Sequence, residues 1–369
     1  MKVLMNGSEW FSARAGGLNR YFDSLYGALR ARADVDVNAY AFGQPPVGGH
    51  SWGSLEGSTL SRAMRSRSRT KSSPFQIVDS HFALYGKRSF PGETNVLRVH
   101  HFQGPWAAES AAAGGHAISV RFKFLIERAA YQRADHFVVL SKHFADLLET
   151  SYAIPTTRIS VIPPGVELHR FHSEQIIAQE VRPNAVCVRR LERRMGIDVL
   201  LQAWGSVIAQ LPGATLKIVG TGSYESDLKD LARKLDLGTS VSFVGIISDA
   251  ELADAYSQAT ISVVPSLALE GFGLIALESL AAGTPPVVTD CGGLPDAVRG
   301  LDKSLIVPRG DAAALGARIV GAFQGQRPSR SECRTHAQQF SWERAAETHV
   351  HLYRELLTGQ GVGDRTRAT

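Results

Sequence analysis

Short apolar runs rich in β-branched residues alternate with helix-period segments along this chain, and the alternation runs through twice. No other feature constrains the fold as much, because strands joined by helices build a parallel sheet covered on both faces. In the first half, "KVLM" (2–5) reads as a strand. Leu18, Phe22, Leu25, Tyr26 and Leu29 then recur at helical spacing, and "VDVNAYAF" is a second strand. "QIVDSH", "TNVLRVHH" and "HFVVLS" add strands, the helix "ISVRFKFLIERAAYQRA" precedes the last of them, and "RISVIPPGVE" (158–167) ends on a Pro-Pro-Gly turn. The second alternation runs through "NAVCVRRL", "TLKIVGTG", "SVSFVG", "ISVVPS", "PPVVTD" and "SLIVP".

At 369 residues the chain is longer than one core usually serves. The reading is therefore two Rossmann-like α/β domains: residues 1–165 together with a C-terminal helix at 341–358, and residues 166–340. The polar stretch up to about Arg182 reads as the linker, and 359–369 as a disordered tail. Ligands of doubly wound sheets bind outside the strands' carboxyl ends, so the cleft between the two domains is the expected active site.

Composition narrows the partners. A net charge of +5 and a pI near 9.1 favour acidic ligands weakly. Nothing in the pattern points to nucleic acid. Cys187, Cys291 and Cys333 show neither zinc spacing nor a disulfide framework, which fits a reducing cytosol. No apolar run is long enough for a signal peptide or a membrane span, so the expected location is cytoplasmic. "RAMRSRSRTKSS" (62–73) reads first as a solvated loop. Its sharper reading, over 62–71, is peripheral contact with an anionic membrane at the inner face.

Three constellations carry chemistry. In "EGFGLIALE" (270–278), Glu270 and Glu278 bracket a glycine turn that opens a helix. The turn's amides, at Gly271, Phe272, Gly273 and Leu274, favour anions and hydroxyl oxygens. A carboxylate accepts hydrogen bonds from neighbouring hydroxyls, so the two glutamates suit two hydroxylated rings joined by a diphosphate. The plainer reading, Glu270 on a helix dipole and Glu278 exposed on a helix face, stands beside it. In "VRRLERRMGIDVLL" (188–201), Arg189, Arg190, Arg193 and Arg194 cluster at a strand's carboxyl end, where guanidinium forks suit phosphate. Gly16 and Gly17 open a helix after the first strand and can offer amides to a phosphate. The glycine spacings around Gly16 and in "VGTGSYESD" (219–227) disfavour a dinucleotide-dependent dehydrogenase. His100 and His101 end a strand and are candidate sugar or acceptor contacts.

"EGFGLIALESLAAGTPPVVTDCGGLPDAV" resembles the glutamate–seven–glutamate signature of family 4 of the retaining glycosyltransferases, and looser similarity in the expected order covers most of the chain. The resemblance implies the GT-B fold: two Rossmann-like domains facing across a cleft, with the last helix crossing back to the first domain. It implies transfer of a hexose from a nucleotide sugar, UDP-linked by preference and GDP-mannose as the other option. The acceptor is a carbohydrate, lipid-linked or small-molecule hydroxyl. Attack comes on the face the leaving group departs from, with the leaving phosphate taking the proton, and without metal or other cofactor. Glu270, Arg190 and His101 become catalytic candidates. Glu270 and the amides at 271–274 hold the donor sugar. Glu278, Arg190, Arg194, Gly16, Gly17, Gly220, Gly222 and Val244 hold the nucleotide and its phosphates, and His100, His101 and Ser141 line the acceptor side. One departure stands out: the family's lysine before Gly196 is Met195 here, with Arg194 beside it. The alternatives are an epimerase or phosphorylase on the same fold, or an inactive glycan- or nucleotide-binding module.

Overall fold

The computed structural model describes residues 1–14, 16–66, 75–86, 96–112, 114, 116–171 and 182–367. They form two units, one of Met1–Gly165 with Trp342–Thr369 and one of Val166–Ser341. The boundary thus falls after Gly165, ahead of the stretch read as a linker. Leu168–Phe171 already packs in the second unit, with the Phe171 ring 6.0 Å from Tyr256. The remainder of that stretch, 172–181, lies outside the described residues.

The first unit holds seven parallel strands: β1 (Lys2–Glu9), β2 (Asp36–Phe42), β3 (His50–Ser51), β4 (Ile77–Ser80), β5 (Leu97–Phe102), β6 (His136–Val139) and β7 (Ile159–Val161). Their order is β3-β2-β1-β4-β5-β6-β7. Val3, Leu4 and Met5 are fully buried, as a central strand covered on both faces requires. The helix Gly17–Arg30 buries Tyr21, Phe22, Leu25, Tyr26 and Leu29, the stripe its spacing predicts. The helix Trp342–Arg367 packs against it, with Trp342 edge-on to Tyr21 at 5.4 Å. That last helix runs past the expected end at 358. Gly359, Gly361 and Gly363 lower helix propensity, yet the backbone stays helical through them.

The second unit holds six parallel strands: β8 (Asn184–Val188), β9 (Thr215–Val219), β10 (Val241–Gly245), β11 (Ile261–Val264), β12 (Pro286–Thr289) and β13 (Ile306–Val307). Their order is β10-β9-β8-β11-β12-β13. Among the described residues no helix is long and apolar enough to cross a membrane. All three cysteines are free and buried. The basic 62–71 stretch is only partly a surface feature. Arg62 donates to Glu9 at 2.7 Å and Arg65 donates to the Glu56 carbonyl, while 67–71 lies outside the described residues.

Candidate active site

In the second sheet the chain order reverses between β8 and β11, so the loops leaving their carboxyl ends diverge and open a crevice. Close backbone contacts hold three loops around it. Gly196, at φ 68°, lies so near the loop after β11 that a Cβ there would stand 1.9 Å from the Pro265 carbonyl oxygen. The Leu267 amide donates to the Arg194 carbonyl at 2.9 Å and locks the same contact. From β12 onward, Gly293 donates its amide to the Glu270 carbonyl at 2.9 Å, and a Cβ on Gly292 would meet that oxygen at 2.1 Å. Leu269 adopts φ 60°, a left-handed conformation that costs a non-glycine residue on the order of 1 kcal/mol, immediately before Glu270.

These loops bury the Glu270 carboxylate to 7% exposure. Its Oε1 accepts from the Arg189 guanidinium and from Ser266 Oγ at 3.3 Å, and Arg189 also donates to Ser266. Arg194 Nη1 stands 4.0 Å from the same oxygen and 3.4 Å from the Ala268 and Leu269 carbonyls. Arg189 rather than Arg190 is therefore the arginine on Glu270. Arg190, one residue on, is exposed and open to a ligand. Met195 is buried at 3% exposure, so a core side chain fills the place of the family's lysine while Arg194 brings its charge to the Glu270 loop.

Beyond Glu270 the turn leads into the helix Leu274–Ala281, with Gly273 at φ 86° as its N-cap. Phe272 turns inward, 5.6 Å from the Phe340 ring. Glu278 is buried at 6% exposure, which removes its reading as an exposed helix residue. Gly220 and Gly222 take a packing role in place of the expected phosphate contact. A Cβ on either would meet the Arg189 or Leu191 carbonyl oxygen at 2.0 or 2.2 Å, so they let the β9 loop lie against the arginine turn. Val244 on β10 is 38% exposed. Burial, reinforced by the Glu270 charge, pushes the Cys291 thiol up to about 11, and burial takes Cys187 to about 12, so neither offers a thiolate.

In the first unit the chain order reverses between β1 and β4. Gly16 and Gly17 are exposed there, at the start of a helix with no acidic residue in its first turn, and a Cβ on either would meet nothing within 4 Å. That is an open helix N-terminus. The histidines and Ser141 are placed differently from expectation. His101 is 2% exposed, with Nε2 3.1 Å from Asp79 Oδ1 and Nδ1 3.3 Å from the Tyr21 hydroxyl, so both nitrogens face protein. Burial lowers its pKa to about 4 and keeps the ring neutral. His100 projects to the opposite face of β5, buried beside the Tyr131 and Phe137 rings. Ser141 is buried and caps the helix Lys142–Tyr152 by accepting the Phe144 amide at 3.3 Å. None of the three is offered to a substrate by these contacts.

Comparison with known proteins agrees with the geometry. A family model described as "Glycosyltransferase Family 4" matches residues 15–170, and one described as "Glycosyl transferases group 1" matches residues 170–340. A protein of Corynebacterium jeikeium named D-inositol 3-phosphate glycosyltransferase is 31% identical over 330 residues, covering 80% of this chain and 75% of the relative. Its namesake in Corynebacterium urealyticum is 32% identical over 319 residues, 79% and 74% of the two chains. Sucrose-phosphate synthase from Thermosynechococcus elongatus superposes with TM-score 0.80 at 24% identity, over 97% of this chain and 100% of that one. Anabaena HepE in complex with UDP superposes with TM-score 0.74 at 15% identity, over 96% and 100%.

Proposed function

The chain is a glycosyltransferase of family 4 with two Rossmann-like units of the GT-B type, and from that premise we propose that it moves a hexose from a nucleoside diphosphate sugar to an acceptor hydroxyl with retention. The observation that carries this reading is the buried Glu270 carboxylate at the switch point, with Arg189, Arg194 and a helix N-terminus around it. Arg189 and Ser266 occupy Oε1, which leaves Oε2 as the acceptor for hydroxyls of the donor sugar. The amides of Gly271, Phe272, Gly273 and Leu274 add donors on the same turn. Exposed Arg190 takes the diphosphate, Glu278 the ribose, and Val244 lies by the base. Gly16 and Gly17 receive the distal phosphate and the acceptor.

The chemistry follows from where charge develops. The bond from the anomeric carbon to the phosphate oxygen breaks, and the acceptor oxygen bonds to that carbon from the same face. The acceptor's proton passes to the departing phosphate oxygen. Fixed guanidinium groups and helix amides stabilise the negative charge that grows on the diphosphate. No protein nucleophile, metal or other cofactor enters at the reacting atoms. A uridine donor is favoured over a guanosine one, and the relatives' name makes an inositol phosphate the first acceptor to test.

Thermal-shift and turnover measurements test this together. A UDP-sugar at a hundredfold excess over Kd stabilises the native state by about 2.7 kcal/mol and raises Tm, with GDP-sugars giving less. Nucleoside diphosphate appears only when acceptor is present. Release at the same rate without acceptor, or no rise in Tm with any nucleotide sugar, overturns the reading. Interconversion of nucleotide sugars without acceptor identifies the epimerase, and a rise in Tm without turnover identifies an inactive binding module.

A further inference from the structure

Inside the first unit, on the face of the sheet covered by the helices Gly17–Arg30 and Trp342–Arg367, three buried side chains point at one another. Asp79 leaves β4, His81 follows it, and His101 comes from β5. The register Asp79↔Val99 and Ser80↔His100 puts all three on one face. Their exposures are 0%, 2% and 2%. Their ligating atoms all lie within 4.8 Å of one another.

Contacts on the far side of each group orient these atoms. Asp79 Oδ2 accepts the Tyr353 hydroxyl at 2.6 Å. His101 Nδ1 faces the Tyr21 hydroxyl at 3.3 Å, and His81 Nδ1 faces the side-chain amide of Gln103 at 3.1 Å. When each Nδ1 donates to its partner, each Nε2 carries a lone pair directed inward. Asp79 Oδ1, His81 Nε2 and His101 Nε2 are all buried without a hydrogen bond. The imidazole nitrogens stand 3.4 and 3.1 Å from the carboxylate oxygens, within reach but outside hydrogen-bond geometry. Buried polar atoms left this way are costly, and one central cation satisfies all three. The spacing fits as well. Ligands about 2.1 Å from a tetrahedral ion lie about 3.4 Å apart. Outer contacts that fix the tautomer of each histidine ligand are the usual support of such a centre.

We infer that Asp79, His81 and His101 bind a zinc-type divalent cation inside the first unit. Two imidazoles and a carboxylate are the donor set of zinc and its neighbours, and full burial makes the ion a structural clasp between β4 and β5. The Tyr353 hydrogen bond extends the clasp to the last helix of the unit.

The experiment is elemental analysis of full-length protein purified without a polyhistidine tag, followed by cobalt(II) reconstitution of chelator-treated protein. The expected result is about one equivalent of metal per chain and visible d–d absorption on adding cobalt. His81→Gln and Asp79→Asn each lose at least nine-tenths of both. His169→Gln, in the second unit, keeps them. Wild-type protein that holds no metal and gives no cobalt spectrum overturns the proposal. So does a folded His81→Gln variant that retains full stoichiometry. Should Asp79→Asn fail to fold, the His81→Gln and wild-type readings decide alone.

Discussion

Changing Glu270 to glutamine lowers kcat/KM by roughly 150-fold, about 3 kcal/mol of transition-state stabilisation, while the protein stays folded. The carboxylate is buried at the switch point of the second sheet, and its charge strengthens every hydrogen bond it accepts from a sugar hydroxyl. The amide keeps the size and still accepts from Arg189 but has lost the charge. Arg189→Met tests the other half of the pair. It leaves an acid buried without its principal partner and costs about 3–5 kcal/mol of stability. The double variant Arg189→Met with Glu270→Gln recovers most of that loss, because no uncompensated charge remains. It recovers none of the activity. Urea midpoints for the four proteins give the coupling energy, and kcat/KM under the same conditions gives the functional term. If Glu270→Gln stays within about threefold of the parent, Glu270 is a structural partner of Arg189 and the donor clamp lies elsewhere.

The choice between Arg189 and Arg190 also marks where sequence reading stopped. The strand-and-helix alternation was legible because a parallel sheet buries both faces and writes itself as continuous apolar runs. The 270–278 turn was legible because glycine, acid and helix start occur in one short window. Four arginines within six residues named the right turn after β8. Which of two neighbours faces Glu270 depends on how that turn leaves the strand, and local pattern does not carry this. Asp79, His81 and His101 were hidden for a related reason. An Asp-x-His spacing puts two side chains on one face of a strand, but His101 joins them only once β4 and β5 are set in register. His100 and Ser141 were misplaced because a polar residue at a strand's carboxyl end can equally turn into the core or cap the next helix.

Gly196→Ala lowers stability by about 3 kcal/mol or more and reduces activity with it, whereas Gly205→Ala, nine residues on, raises stability by about 0.5–1 kcal/mol. The two glycines differ in everything but name. Gly196 has φ 68°, and its Cβ would stand 1.9 Å from the Pro265 carbonyl oxygen, a backbone atom with no side-chain rotation to relieve the clash. The turn must lift, and lifting it breaks the Leu267-to-Arg194 hydrogen bond of 2.9 Å. Arg194 then loses its place 4.0 Å from Glu270 Oε1. Loss of stability and loss of kcat/KM arise from one displacement. Gly205 lies within the helix Ile197–Gln210, and a Cβ there meets nothing within 4 Å. Alanine at that position only removes conformational entropy from the unfolded chain. Chemical denaturation of both variants, with kcat/KM measured on each, separates the readings. A Gly196→Ala protein as stable as the parent means that the turn is not held against Pro265. One destabilised but fully active means that Arg194 does not act through that contact.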